Sequence, residues 1–223
     1  MEARPDAFVH EESAEDLAGW TKVANGLHYM YVGVAVAFVA AMLGAGLVSL
    51  SEGFAPLVVL IVLGGAIAIV VGQIMLAWIP EVTGARTQGL LLAICALGSV
   101  VIGLLGGGQI REQQNNGLDA ISSLLNLVVV VVFPIFVKKV ARYLCSEQLR
   151  KTAVRYLWFL GGSFFMLFVI SASLLEKKEA SASLDEGTEV FLGIVIVGFV
   201  IVWLIWYMRL IRGLRDAIRA RKV

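Results

Sequence analysis

Charged side chains are missing from six long stretches of this 223-residue chain. The stretches are Val23–Ser51, Gly53–Pro80, Thr87–Ile110, Ala120–Val137, Tyr156–Leu175 and Val190–Met208. A helix of about 20 apolar residues is long enough to cross the hydrocarbon core of a bilayer. The hydrophobic content of 59% is also high for a soluble domain. The sequence therefore predicts an all-α polytopic integral membrane protein, built as a bundle of six transmembrane helices.

The absence of ionisable side chains at membrane depth limits the possible chemistry. Proton pumps and ion-coupled transporters generally need Asp, Glu, His or Arg within their spans. The chain has two histidines and two cysteines, and it lacks a paired-histidine zinc motif, a phosphate-binding glycine loop with lysine and a serine elbow. We therefore expect no metal, no cofactor, no catalytic residues and no disulfide between Cys95 and Cys145.

Two amides are the candidate polar residues inside the predicted spans. Gln73 lies in the second stretch and Asn126 in the fourth. They could line a small polar cavity, as a permease for small molecules or lipids would require. They could equally form hydrogen bonds between packed helices, which is the more common use of such residues in membranes.

Lysine and arginine are distributed asymmetrically around the predicted spans. With both termini placed in the cytoplasm, fifteen of the 18 basic residues fall on the cytoplasmic side. All five tryptophans and all five tyrosines fall at or near the same interface. The positive-inside rule therefore predicts a multi-pass protein of the inner (plasma) membrane with both termini cytoplasmic.

The chain is predicted to have three parts. Residues 1–22 form an acidic cytoplasmic head with a short interfacial helix, which begins at Ser13 and then turns into the first span. Residues 23–208 form the six-helix transmembrane domain. Residues 209–223 form a basic amphipathic tail helix.

The cytoplasmic connection after the fourth span and the tail carry the strongest interaction signal. Their candidate contact residues are Lys138, Lys139, Arg142, Arg150, Lys151, Arg155, Arg212, Arg215 and Arg219. Such clusters attract the anionic headgroups of the inner leaflet, or they serve only to set topology. A protein partner on this face is also possible, whereas nucleic acid is a poor fit to short clusters that flank membrane spans.

Small residues at helical spacing predict how the first two spans pack. The second span carries Gly64, Ala68 and Gly72, and the first carries Gly33, Ala37, Ala41 and Ala45. Such ridges allow two helices to approach closely in a membrane. We expect these two faces to meet in a tight helical hairpin.

Three patches carry a resemblance to a known group of proteins. They are Trp20-x-x-Val23-x-x-Gly26-Leu27, then Gly72 through Pro80 with Gly84-Ala85-Arg86, and Phe136-Val137-x-x-Val140-Ala141-x-Tyr143-Leu144. In these patches the chain resembles a family of uncharacterised multi-spanning bacterial membrane proteins of planctomycete-like genomes. The resemblance implies the polytopic fold and a bacterial inner membrane, and it implies no activity.

The leading functional hypothesis is therefore a non-enzymatic scaffold or accessory subunit with a basic cytoplasmic face. The alternative is a small-molecule or lipid permease that uses the region around Gln73 and Asn126. An intramembrane enzyme comes third, because the sequence offers no catalytic pair.

Overall fold

The computed structural model describes residues 14–107, 116–179 and 186–221. Most of the predicted acidic head, including Ser13, lies outside the described residues. So do the central parts of the predicted loops after the third and fifth spans, and the last two residues of the tail.

Six α-helices make up almost all of the described chain. They are α1 (Ala14–Leu50), α2 (Ala55–Met75), α3 (Arg86–Gly107), α4 (Asn116–Tyr143), α5 (Glu147–Glu179) and α6 (Glu186–Ala220). Short 3₁₀ turns at Glu52–Phe54, Leu76–Trp78 and Glu81–Thr83 join the first three helices. No strand occurs within the described ranges, so the prediction of an all-α protein is confirmed.

Four helices are long and apolar enough to cross a membrane. They are Ala14–Gly44, Ala55–Trp78, Ala120–Tyr143 and Val197–Ala220, and Arg86–Ile102 is a shorter apolar helix. The predicted fifth span and the start of the predicted sixth extend into residues whose side chains lie outside the description.

Helix α1 differs from the predicted interfacial helix followed by a turn. It runs without a break from Ala14 to Leu50. Trp20, Val23 and Leu27 are all buried at its start. Because these residues belong to the core, the first turns of α1 continue the bundle instead of forming a separate element.

Glycines at every seventh position bring α1 and α2 into direct backbone contact. A Cβ atom on Gly26 would lie 2.7 Å from the carbonyl oxygen of Gly72, and one on Gly33 would lie 2.5 Å from that of Gly65. These distances are shorter than any side chain tolerates without a backbone shift. The predicted hairpin therefore forms, but the prediction of Gly64 on its contact face is wrong, because Gly64 is exposed with open space around it.

The connection from α2 to α3 is a compact, hydrogen-bonded loop. The Thr83 hydroxyl donates to the Pro80 carbonyl oxygen at 2.8 Å and accepts from the Ala85 amide at 3.1 Å. Gly84 adopts a positive φ of 63° and ends the last 3₁₀ turn. Gly89 then packs directly on the Leu76 carbonyl, which places the start of α3 against the end of α2.

The buried core lies at one end of the bundle. It joins the beginning of α1, the end of α2, the beginning of α3, the end of α4, the beginning of α5 and the end of α6. We call this the basic end, because the predicted basic clusters lie beside it. Toward the other end many described apolar side chains are exposed, which suits helices surrounded by lipid.

Aromatic rings connect three helices within this core. Tyr207 of α6 has its ring centroid 5.0 Å from that of Phe133 in α4 and 6.4 Å from that of Tyr156 in α5. Trp203 stacks on Tyr207 at 5.7 Å. This arrangement gives a physical reason for the one-sided distribution of aromatic residues, because several of them build the core of the basic end.

The glycine contact between α1 and α2 gives a direct test on two adjacent residues. Gly65→Ala places a Cβ atom 2.8 Å from the Gly33 carbonyl oxygen, so we expect destabilisation of about 1–3 kcal/mol. Gly64→Ala meets open space, so its effect should stay within about 0.5 kcal/mol. Thermal unfolding of the purified protein in mild detergent measures both. Equal melting temperatures for the two variants would contradict the proposed contact.

Candidate headgroup-binding groove

A tight turn at the basic end joins α4 to α5. The Ser146 amide donates to the Ala141 carbonyl at 2.9 Å, and Cys145 takes a left-handed conformation with φ 53°. This is the Schellman pattern of helix termination, with Cys145 in the position that glycine usually occupies. Helix α5 begins at Glu147, directly after this turn.

A groove lies between the end of α4 and the beginning of α5. It has a volume of about 490 Å³ and is lined by Lys138, Arg142, Glu147, Arg150, Lys151, Val154 and Arg155. Five of the nine predicted contact residues therefore come together in one place. It is an open groove on the protein surface and not an enclosed cavity.

The charges in the groove are strongly unbalanced. Of the described residues that line it, Glu147 alone is acidic, and its carboxylate accepts from Arg150 at 2.8 Å and lies 3.9 Å from Lys151. Among the described residues, no carboxylate lies within ion-pair distance of Lys138, Arg142 or Arg155. The groove therefore presents cationic groups that an added anion could contact.

Lys139 belongs to a different surface from its neighbour Lys138. Its ammonium group donates to the Gly84 carbonyl oxygen at 3.0 Å. This bond joins the end of α4 to the loop between α2 and α3. Lys139 is thus engaged in holding two parts of the bundle together, and it does not line the groove.

The three predicted contact residues of the tail lie on α6 and do not line the groove. Arg212 and Arg215 both approach the Asp216 carboxylate, at 3.7 Å and 3.0 Å. The Arg215 guanidinium also lies 5.9 Å from the centre of the Tyr31 ring in α1. Arg219 is exposed. The predicted basic tail is continuous with α6, and its apolar side, which includes Leu210 and Leu214, is buried in the core.

The structure does not bring Gln73 and Asn126 together. Gln73 is 6% exposed on α2, whereas Asn126 is exposed on α4. Within the described chain, α2 and α4 do not form one of the substantial helix interfaces. The two amides therefore do not share a cavity that would support the permease hypothesis.

Two cation–aromatic contacts at the basic end were missed by the sequence analysis. The Lys22 ammonium lies 3.5 Å from the centre of the Trp78 ring. The Arg221 guanidinium lies 4.7 Å from the Tyr143 ring, which in turn stacks on Trp20 at 5.8 Å. Such contacts contribute about 0.5–1 kcal/mol at exposed sites. They tie the ends of α2 and α6 to the beginning of α1, and the only sequence signal for them was the shared location of basic and aromatic residues.

No cluster of three or more His, Cys, Asp or Glu side chains that could hold a metal ion occurs in the searched part of the chain. Comparison with known proteins found no matching family, no matching curated protein and no matching solved structure. The resemblance described from the three sequence patches therefore stays a prediction.

The geometry of the groove depends on the turn at Cys145, which gives a second prediction. The left-handed conformation costs an L-residue about 1–2 kcal/mol, and glycine avoids that cost. Cys145→Gly should therefore raise the free energy of unfolding by about 1 kcal/mol, whereas Cys145→Val should lower it, since β-branched residues fit this conformation poorly. Thermal unfolding in detergent measures both. A less stable glycine variant would show that the turn has another conformation.

Proposed function

We propose that this protein is a six-span membrane protein of the bacterial inner membrane, with both termini in the cytoplasm. We further propose a non-enzymatic role, as a scaffold or accessory subunit whose basic end contacts anionic headgroups and a protein partner. The charge asymmetry supports the orientation. The four long apolar helices support insertion in a membrane.

The observation that carries the proposal is the groove between α4 and α5. Five basic residues from two helices line it, and its walls are helices that continue into apolar segments. A basic residue near an anionic membrane surface contributes about 1 kcal/mol to attraction, reduced by salt. To set the orientation of the spans, basic residues need only lie on the correct side of the membrane. That role does not require them to be gathered in one groove.

The orientation can be tested with the native cysteines. Cys145 is exposed at the α4–α5 turn, whereas Cys95 is buried in α3. A membrane-impermeant maleimide should therefore label the protein in inside-out vesicles and leave it unlabelled in right-side-out vesicles. Cys145→Ser should abolish the labelling and serves as the control. Labelling of Cys145 in right-side-out vesicles would reverse the proposed orientation.

The proposed role can be tested by co-purification in mild detergent, with mass spectrometry of proteins and lipids. The full chain should carry anionic lipids at a higher fraction than the surrounding membrane, together with a stoichiometric protein partner. The groove variant Lys138→Gln/Arg142→Gln/Arg155→Gln should lose the lipid enrichment. The matched variant Arg209→Gln/Arg212→Gln/Arg219→Gln removes the same charge from α6 and should keep it.

Two outcomes of this experiment would contradict the proposal. Lipid fractions equal to those of the surrounding membrane would exclude a headgroup site. A protein recovered without a partner and carrying a soluble solute would favour the permease alternative.

A further inference from the structure

A continuous exposed stripe runs along α5 away from the groove. Lys151, Arg155, Trp158, Gly162 and Phe165 follow one another at spacings of four and three residues, which places them on one face of the helix. All five are exposed, and Trp158 and Phe165 are 79% and 67% exposed. The stripe thus changes from cationic to aromatic to apolar within four turns.

This order matches the layers that a phospholipid presents. Cationic side chains attract lipid phosphates, and an indole ring lies favourably at the boundary between headgroups and acyl chains. Beyond Trp158, a Cβ atom on Gly162 would meet nothing within 4 Å, so this position leaves a shallow space on the helix surface. The exposed Leu124 and Leu127 of α4 lie on the same face of their helix as Lys138 and Arg142, toward its opposite end.

The charge of the groove indicates more than one phosphate. Five cations and one carboxylate line it, and that carboxylate already contacts Arg150 and Lys151. A single phosphodiester carries one negative charge and would leave most of the cationic groups uncompensated. The two arginines without a carboxylate partner, Arg142 and Arg155, can each bind a phosphate in a bidentate manner.

We propose that the groove between α4 and α5 binds one phospholipid whose headgroup carries two phosphates, with its acyl chains along the exposed stripe of α5. This inference rests on the proposed contact with anionic headgroups and specifies the ligand of that site. Basic pockets between membrane helices on the cytoplasmic side are a known mode of recognition for such headgroups. A soluble polyphosphate would use the same cations but would gain nothing from Trp158, Gly162 and Phe165.

The test is lipid titration of the full chain in mild detergent, followed by native mass spectrometry. The probes are a diphosphatidylglycerol, a phosphatidylglycerol at twice the concentration so that total charge is equal, and inorganic pyrophosphate. We expect one diphosphatidylglycerol per chain, with an affinity at least about tenfold higher than that of phosphatidylglycerol. Pyrophosphate alone should bind at least about tenfold more weakly than diphosphatidylglycerol.

Variants locate the bound lipid. The groove variant Lys138→Gln/Arg142→Gln/Arg155→Gln should reduce diphosphatidylglycerol affinity by about tenfold or more. The equally charged α6 variant Arg209→Gln/Arg212→Gln/Arg219→Gln should change it by less than about twofold. Gly162→Leu fills the space within the stripe and should weaken lipid binding several-fold while leaving pyrophosphate binding unchanged. All seven positions are exposed or only partly buried, and gel filtration confirms that each variant remains folded.

Each contrary outcome has a distinct meaning. Equal affinity for the two lipids at matched charge, with loss of both in the groove variant, overturns the two-phosphate inference and leaves a general anionic headgroup site. Pyrophosphate binding as strong as that of diphosphatidylglycerol also overturns the inference, because the ligand would then be soluble. Equal losses in the groove and α6 variants overturn both the inference and the proposed headgroup site.

Discussion

The arrangement of the molecule depends on the burial of all six helices in one core at the basic end. Val140 and Ala141 on one side of α4 are buried in this core, and Leu149 and Ala153 on one side of α5 are buried in it as well. Because a helix advances 100° per residue, cations next to these buried positions, such as Arg142 and Lys151, lie on the exposed sides of the two helices. The groove is therefore a consequence of core packing, and its cations are held on helices that the core fixes in rotation.

Two different interactions complete this end of the bundle. Close backbone contact joins α1 to α2, where glycines remove side chains from the interface. Cations and aromatic rings join the remaining elements at the periphery, through Lys22 on Trp78 and Arg221 on Tyr143. The first interaction is close backbone packing, whereas the second involves charged side chains at the protein surface. Basic residues at this end thus divide into some that hold parts of the protein together and others that face outward.

The sequence predicts the helices and the grouping of basic residues well, but it does not predict which residues share a face across helices. Uncharged length and helical period are local properties, so the helices and the grouping of five groove residues follow from them. The rotation of each helix is set by partners distant in the chain. For that reason two adjacent residues can have different surroundings. Gly65 lies in the contact with α1, whereas Gly64 faces open space. Lys138 lines the groove, whereas Lys139 donates to the Gly84 carbonyl.

The glycine contact has a consequence for how the chain is made. Gly19 packs against the Trp78 carbonyl and Pro80, in the loop that follows α2. The other glycines of the contact all lie between Gly19 and this loop in the sequence. The interface between α1 and α2 is therefore complete once the first eighty or so residues, roughly a third of the chain, have left the ribosome. These two helices can associate while α3 to α6 are still being synthesised. Among the described helices, α3 contacts α2 and α6 contacts α1, so both can pack against a preformed pair.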